Sequence, residues 1–168
     1  MKVLVVVPLF VGFMASSNAF AECDNVPAKV AAYVATRPGW HVIHLADLGS
    51  DDQALWSRYR GDACPGFARA DLQGKGRWSY GLSLSKGSDT QSIILYDDGN
   101  TMREKVLPAD AGVVRHVVHA APPGPTSRFG IPKHIDIPHE SLVFEVLESS
   151  AVQYYWRNGR LVDITISD

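Results

Sequence analysis

The sequence predicts an α+β protein: two short N-terminal helices packed on an antiparallel sheet of about seven or eight strands that ends in a hairpin meander. Three observations carry this expectation. Apolar residues recur at helical spacing before Gly61, turn-punctuated strand segments take over from Phe67, and Asn158-Gly159 separates two alternating segments as a two-residue hairpin turn.

Taken in order, the chain opens with Met1-Lys2, the apolar run Val3 to Met14 and the small-x-small triplet Ala19-Phe20-Ala21, the three parts of a secretory signal peptide. Residues 1–21 are expected to be removed, leaving a single mature domain over 22–168. The apolar run falls short of the roughly 20 residues that span a bilayer, so no membrane span is expected. Glu22 places a charge where a lipidation signal before Cys23 needs a small residue. The protein is therefore read as periplasmic or secreted. The chain carries 16 Lys and Arg against 18 Asp and Glu, net charge −2, which argues against a nucleic-acid partner. In an exported protein the two cysteines, Cys23 and Cys64, most simply pair with each other. Closing a loop of that length stabilises by about 4 kcal/mol in the chain-entropy model.

Asp24 or Asn25 can cap a first helix, with Pro27 in its first turn and Val26, Val30, Tyr33 and Val34 on one face until Pro38-Gly39. Trp40 to Leu45 reads as a brief strand. Ser50-Asp51-Asp52 starts a second helix carrying Leu55, Trp56 and Tyr59, with Arg58 and Arg60 in its last turn as the helix dipole favours. Strands are then expected at Gly81 to Ser85, Gln91 to Tyr96, Thr101 to Leu107, Val113 to His119, Leu142 to Leu147, Ala151 to Arg157 and Leu161 to Ser167. Asp97-Asp98-Gly99-Asn100 marks a hairpin turn.

Between the helices and the strands, Asp71-x-x-Gly74-x-Gly76-x-x-x-Tyr80 resembles the Asp-x-Asp-Gly-Asp-Gly-x-x-Asp-Tyr hairpins of FG-GAP/VCBS-like repeats and of many small secreted bacterial proteins. In that family the carboxylates often hold calcium. Here Gln73, Lys75 and Ser79 stand where later acids would be, and a calcium loop needs several converging oxygen ligands. The resemblance therefore implies ancestry without the ion, and Lys75 is expected to set its ammonium group near Asp71.

A type I′ turn at Asn158-Gly159 would set Tyr155 opposite Val162, Gln153 opposite Ile164 and Ala151 opposite Ile166 on one face, read as the core face. Trp156, Tyr154 and Val152 share the other, wetter face, covered by a helix or offered to a partner. The segment from Ala121 to Pro138 holds five of the ten prolines, and with them Gly124 and Gly130. It is expected to stay out of a sheet interior, since proline lacks the ladder donor, and to present Ser127-Arg128-Phe129 as a stiff recognition tip or to serve as a plain connection.

Candidate chemistry is sparse. His41/His44 and His116/His119 are three residues apart, which puts each pair on opposite faces of a strand. His134, Asp136 and His139 offer zinc-ligating residue types and, with them, the reading of a metal-assisted hydrolase. No Gly-x-Ser-x-Gly elbow and no phosphate-cradling loop before a helix is present, so no catalytic residue, metal ligand or cofactor is assigned. The leading expectation is an exported protein that binds a periplasmic protein through Arg128, Phe129, Tyr154 and Trp156, as an inhibitor or immunity protein does against a cell-wall hydrolase or toxin. A cell-envelope scaffold module is a further reading.

Overall fold

The structure, a computed structural model, describes residues 23–98, 101–108 and 115–167; the expected signal peptide, Gly99-Asn100 of the β-turn and the start of the strand expected from Val113 lie outside the described residues. The α+β class holds, and the layout differs from the expectation. The two α-helices are α1 (Ala28–Ala35) and α2 (Ser50–Arg60). A five-stranded sheet comprises β1 (His41–Val42), β2 (Phe67–Ala70), β3 (Ser79–Lys86), β4 (Asp89–Asp97) and β5 (Met102–Val106). A four-stranded sheet runs β11 (Arg160–Ser167), β10 (Ala151–Arg157), β9 (Ser141–Glu145), β6 (Val117–Ala121), and a two-stranded ribbon joins β7 (Gly124–Ser127) to β8 (His134–Ile137). Strands thus number eleven among the described residues, in three antiparallel sheets rather than one of seven or eight. The helices do not form an N-terminal pair on one sheet; β1 separates them, and they cover different regions of the fold.

The two larger sheets stack face to face, and residue size explains how. On β3 the large residues Tyr80, Leu82 and Leu84 point outward, where Val30 of α1 packs on them with Val26, Tyr33 and Val34 alongside. The alternate residues Ser79, Gly81, Ser83 and Ser85 are small and share the inner face. A Cβ added to Gly81 would sit 2.6 Å from Val118 and 3.2 Å from Phe144, so this strip is where the second sheet seats its large side chains. The cost is visible in the buried hydroxyls of Ser79 and Ser83, which have no hydrogen-bond partner among the described residues. Ala68, Ala70, Leu72 and Ile94 from the first sheet and Leu142, Phe144 and Tyr154 from the second complete the inter-sheet core.

Both faces of β10 are covered: the one expected as core, with Ala151, Gln153 and Tyr155, is buried, and so is Tyr154 on the other. The hairpin register follows from its turn: Asn158 and Gly159 have φ of +51° and +77°, and Tyr155 pairs with Val162, Gln153 with Ile164 and Trp156 with Leu161. A bulge at Ala151/Val152 shifts the last pair, so Ala151 meets Ser167 instead of Ile166. The face carrying Tyr154 and Trp156, expected outside the core and covered by a helix or a partner, is the one turned to the five-stranded sheet. Tyr154 is 5 % exposed and stacks edge-on against Phe144, while Trp156 is half-buried with its ring 5.6 Å from that of Tyr96. The opposite face is also covered, by α2 at one end and the β7–β8 ribbon at the other. Trp56 of α2 packs with Ile43, Leu48 and Val117, and Ile137 of β8 with Tyr155 and Ile164.

One short segment ties these layers together. Cys64 is bonded to Cys23, as expected from the cysteine count. The carbonyl of Pro65 accepts the N–H of Val118 at 2.8 Å, a direct backbone link from the first sheet's edge to β6 of the second. The carbonyl of Gly66 accepts from Ser83 N–H at 2.9 Å, and Ile43 N–H donates to Ser83 C=O at 2.9 Å, so β1 and β2 share one edge of β3 and meet at Gly66. A Cβ at Gly66 would lie 2.5 Å from Ile43 N, 2.6 Å from Ile43 O and 2.8 Å from Ser83 O, all backbone atoms, the first and last of them bonded to each other. Gly66→Ala is accordingly expected to destabilise the protein by about 3 kcal/mol, the upper part of the overpacking range. A urea midpoint within error of the parent's would contradict this placement of the three strands.

Candidate functional site

The proline-rich segment that the sequence keeps out of a sheet interior forms the β7–β8 ribbon. Proline is tolerated there because each strand of a two-stranded ribbon has a free edge, so Pro125 can pair with Asp136 without supplying an inward donor. The ribbon is anchored on its inner side by apolar contact of Ile135 and Ile137 with Tyr155, Ile164 and their neighbours. A polar post adds to this: Thr126 Oγ1 donates to Gln153 Oε1 at 2.9 Å, and Gln153 Nε2 donates to Ser141 Oγ at 2.7 Å, which satisfies a buried amide that strand alternation alone would leave stranded.

The ladder ends at the Ser127–His134 pair, and residues 128–133 form the tip beyond it. Phe129 N–H donates to Thr165 C=O of β11 at 2.9 Å, and Ile131 N–H to Arg128 C=O at 3.0 Å, so the tip backbone is tied at its base and folded on itself. Its side chains are left outside: Phe129 is 52 % and Ile131 46 % exposed. Beneath the tip lies a cleft of about 270 Å³, with Ile131, Ile135 and Ile164 and the Tyr155 ring as apolar lining and Arg128, Lys133 and Asp163 as the charged groups. Of the residues assigned from sequence, Arg128 and Phe129 stand together here. Tyr154 and Trp156 do not join them, being packed between the sheets. Ile131 and Lys133, which flank Pro132 in the same segment, belong to the site and were passed over.

The other expected clusters disperse. His134 and Asp136 lie on the exposed ribbon, where Ser127 Oγ is 2.9 Å from His134 Nδ1, whereas His139 abuts Gly74 in the loop after β2. Among the described residues no three His, Cys, Asp or Glu side chains converge to hold a metal ion. In the Asp71 loop, the carboxylate accepts the backbone N–H groups of Lys75 at 3.1 Å and Gly76 at 2.7 Å. The Lys75 backbone, rather than its ammonium group, therefore answers the Asp71 charge. Asp71 N–H in turn donates to Glu140 Oε2 at 2.7 Å, docking the loop on the segment before β9. Among the described residues no helix is long and apolar enough to cross a membrane.

A second charged cluster, unforeseen in the sequence, joins α2 to the four-stranded sheet. His119 Nδ1–H donates to Ala120 C=O at 3.2 Å, and Nε2 accepts from the Arg60 guanidinium at 2.7 Å, a pattern that requires the neutral ring. Glu145 completes the group, 3.8 Å from Arg60 and 3.6 Å from His119 Nε2. Burial pushes the His119 pKa below the usual histidine value, and the Arg60 cation pushes the same way against the opposing pull of Ala120 C=O and Glu145.

Because the folded pKa is depressed, the unfolded chain takes up the proton first. The stability associated with His119 is present above the unfolded value of about 6.5 and is lost as pH falls from there toward the folded value. Urea midpoints measured from pH 7.5 to 5 should therefore decline more steeply for the parent than for His119→Gln, which keeps an acceptor for Arg60 and does not titrate. Parallel profiles would contradict the neutral clamp.

Comparison with protein-family models, curated proteins and solved structures finds no match for this chain.

Proposed function

We propose that the protein is an exported, non-enzymatic binding protein whose partner docks on the 128–133 tip. The observation that carries this reading is the pairing of exposure with restraint: Phe129 and Ile131 present large apolar surfaces on a backbone that is hydrogen-bonded to β11 and anchored through a buried glutamine. An aromatic held this way loses little conformational entropy on binding, which is what makes such residues anchors at interfaces. Export is supported by the anatomy of residues 1–21 and by the Cys23–Cys64 disulfide, which persists in an oxidising compartment. Within this reading the partner is a protein of the periplasm, and inhibition of a cell-wall hydrolase or toxin is the role that best suits a small disulfide-bonded binder.

Phe129→Ala removes the anchor without touching the core, so its stability should stay within about 0.5 kcal/mol of the parent. Its affinity for the partner should fall by about 2 kcal/mol. Capture from periplasmic extract on the immobilised oxidised protein should retain one stoichiometric protein that the variant releases. Equal retention by parent and variant, or no stoichiometric protein at all, would overturn the proposal.

A further inference from the structure

The charges around the tip cleft do not balance, and the imbalance describes what the cleft accepts. Arg128 and Lys133 sit on the two legs of the tip, one step past the Ser127–His134 pair, and both line the cleft. Neither meets a carboxylate among the described residues. The acid at the same cleft, Asp163, lies 3.7 Å from Lys105 Nζ, so its charge is already answered from β5. Two unanswered cations therefore stand over an apolar floor, on a chain whose net charge is −2. Among the described residues some surface cations are matched, Arg37 by Glu104 at 3.1 Å and Arg103 by Asp98 at 2.6 Å, and others such as Arg157 and Arg160 are not; what sets Arg128 and Lys133 apart is that both line a single cleft with an apolar floor.

An occupant that fits must carry negative charge for Arg128 and Lys133 and an apolar group for Ile131, Ile135 and Ile164. The tip that carries Arg128 and Lys133 also exposes Phe129 and Ile131, a surface that a segment of a protein partner covers and a small anion does not. We infer that the cleft takes an acidic peptide segment of the protein partner, with one apolar side chain seated on the isoleucines and neighbouring Asp or Glu carboxylates paired with Arg128 and Lys133. This rests on the reading of the tip as the partner surface and adds the chemistry of the segment that docks there. Guanidinium and ammonium groups at a partly exposed rim act mainly on encounter rate and on selection between partners, while the apolar seat sets residence.

The test probes a cellulose-bound array of random 12-residue peptides with the oxidised exported protein at low and high salt. Bound peptides should be enriched in Asp or Glu next to Leu, Ile or Phe. Binding should weaken at least tenfold in Arg128→Glu/Lys133→Glu, and Ile131→Ser should weaken it even when both cations are kept. All three substitutions fall on exposed positions, and urea midpoints confirm that the variants are folded. The inference fails if the array retains no peptide, if bound peptides show no excess of acids, if acidic peptides lacking an apolar residue bind equally, or if charge reversal leaves the bound set unchanged. It is separable from the broader reading. A partner captured by the parent and by the charge-reversed variant alike, yet released by Phe129→Ala, upholds the docking tip and removes the acidic segment.

Discussion

The layers of this protein are referred to one point, the backbone at Cys64-Pro65-Gly66. Three consecutive residues each discharge a different constraint there. Cys64 is bonded to Cys23 ahead of α1, Pro65 offers its carbonyl to Val118 of the second sheet, and Gly66 lies so close to Ile43 and Ser83 that no side chain fits. Proline suits the middle position, since the bond made there uses its carbonyl and needs no N–H. Without this junction β1 and β2 could not share one edge of β3, and the second sheet would lose its backbone link to the first.

The consequence for function is a division of labour across the molecule. The junction and the small-residue strip of β3 make the core, whereas the surface proposed for binding lies beyond the four-stranded sheet. That sheet is covered in two separate places, by α2 at the His119–Arg60–Glu145 clamp and by the β7–β8 ribbon at the Gln153 post. The ribbon contributes Ile137 to a small cluster of its own with Tyr155 and Ile164, and its tip is tied to β11 by the Phe129 N–H bond to Thr165 C=O while the side chains of Phe129 and Ile131 stay exposed. A recognition element built this way is held in shape by residues it does not need for contact, which reduces the entropy lost when a partner arrives.

Much of this was legible in the chain, for identifiable reasons. Two cysteines allow one intramolecular pairing, and Asn158-Gly159 sets the β10–β11 register, because a type I′ turn leaves little freedom. The faces of β10 were not legible: Val152, Tyr154 and Trp156 alternate with Ala151 and Tyr155, so both faces are apolar and alternation cannot say which meets the larger sheet. The ribbon strands were hidden by their prolines, which exclude a sheet interior but not a two-stranded edge. Within the candidate site, Arg128 and Phe129, singled out from the proline-rich segment, lie beyond the last ladder pair of the ribbon, and Ile131 and Lys133 were missed because their relation to the cleft depends on where Ile164 and Asp163 of β11 arrive. His119, Arg60 and Glu145 come from three elements, and no local spacing announces such a group.

The claim on which the rest turns is that the junction holds the fold while the tip stands clear of it. Amide hydrogen exchange of the oxidised protein, followed by NMR or by fragment mass spectrometry, addresses both halves at once. The amides of Ile43, Ser83 and Val118 should open only with global unfolding, and those of Gly130, Ile131 and Lys133 should exchange by local opening under the same conditions. Fast local exchange at Val118 and Ile43, with the slowest amides confined to β9 and β10, would contradict it.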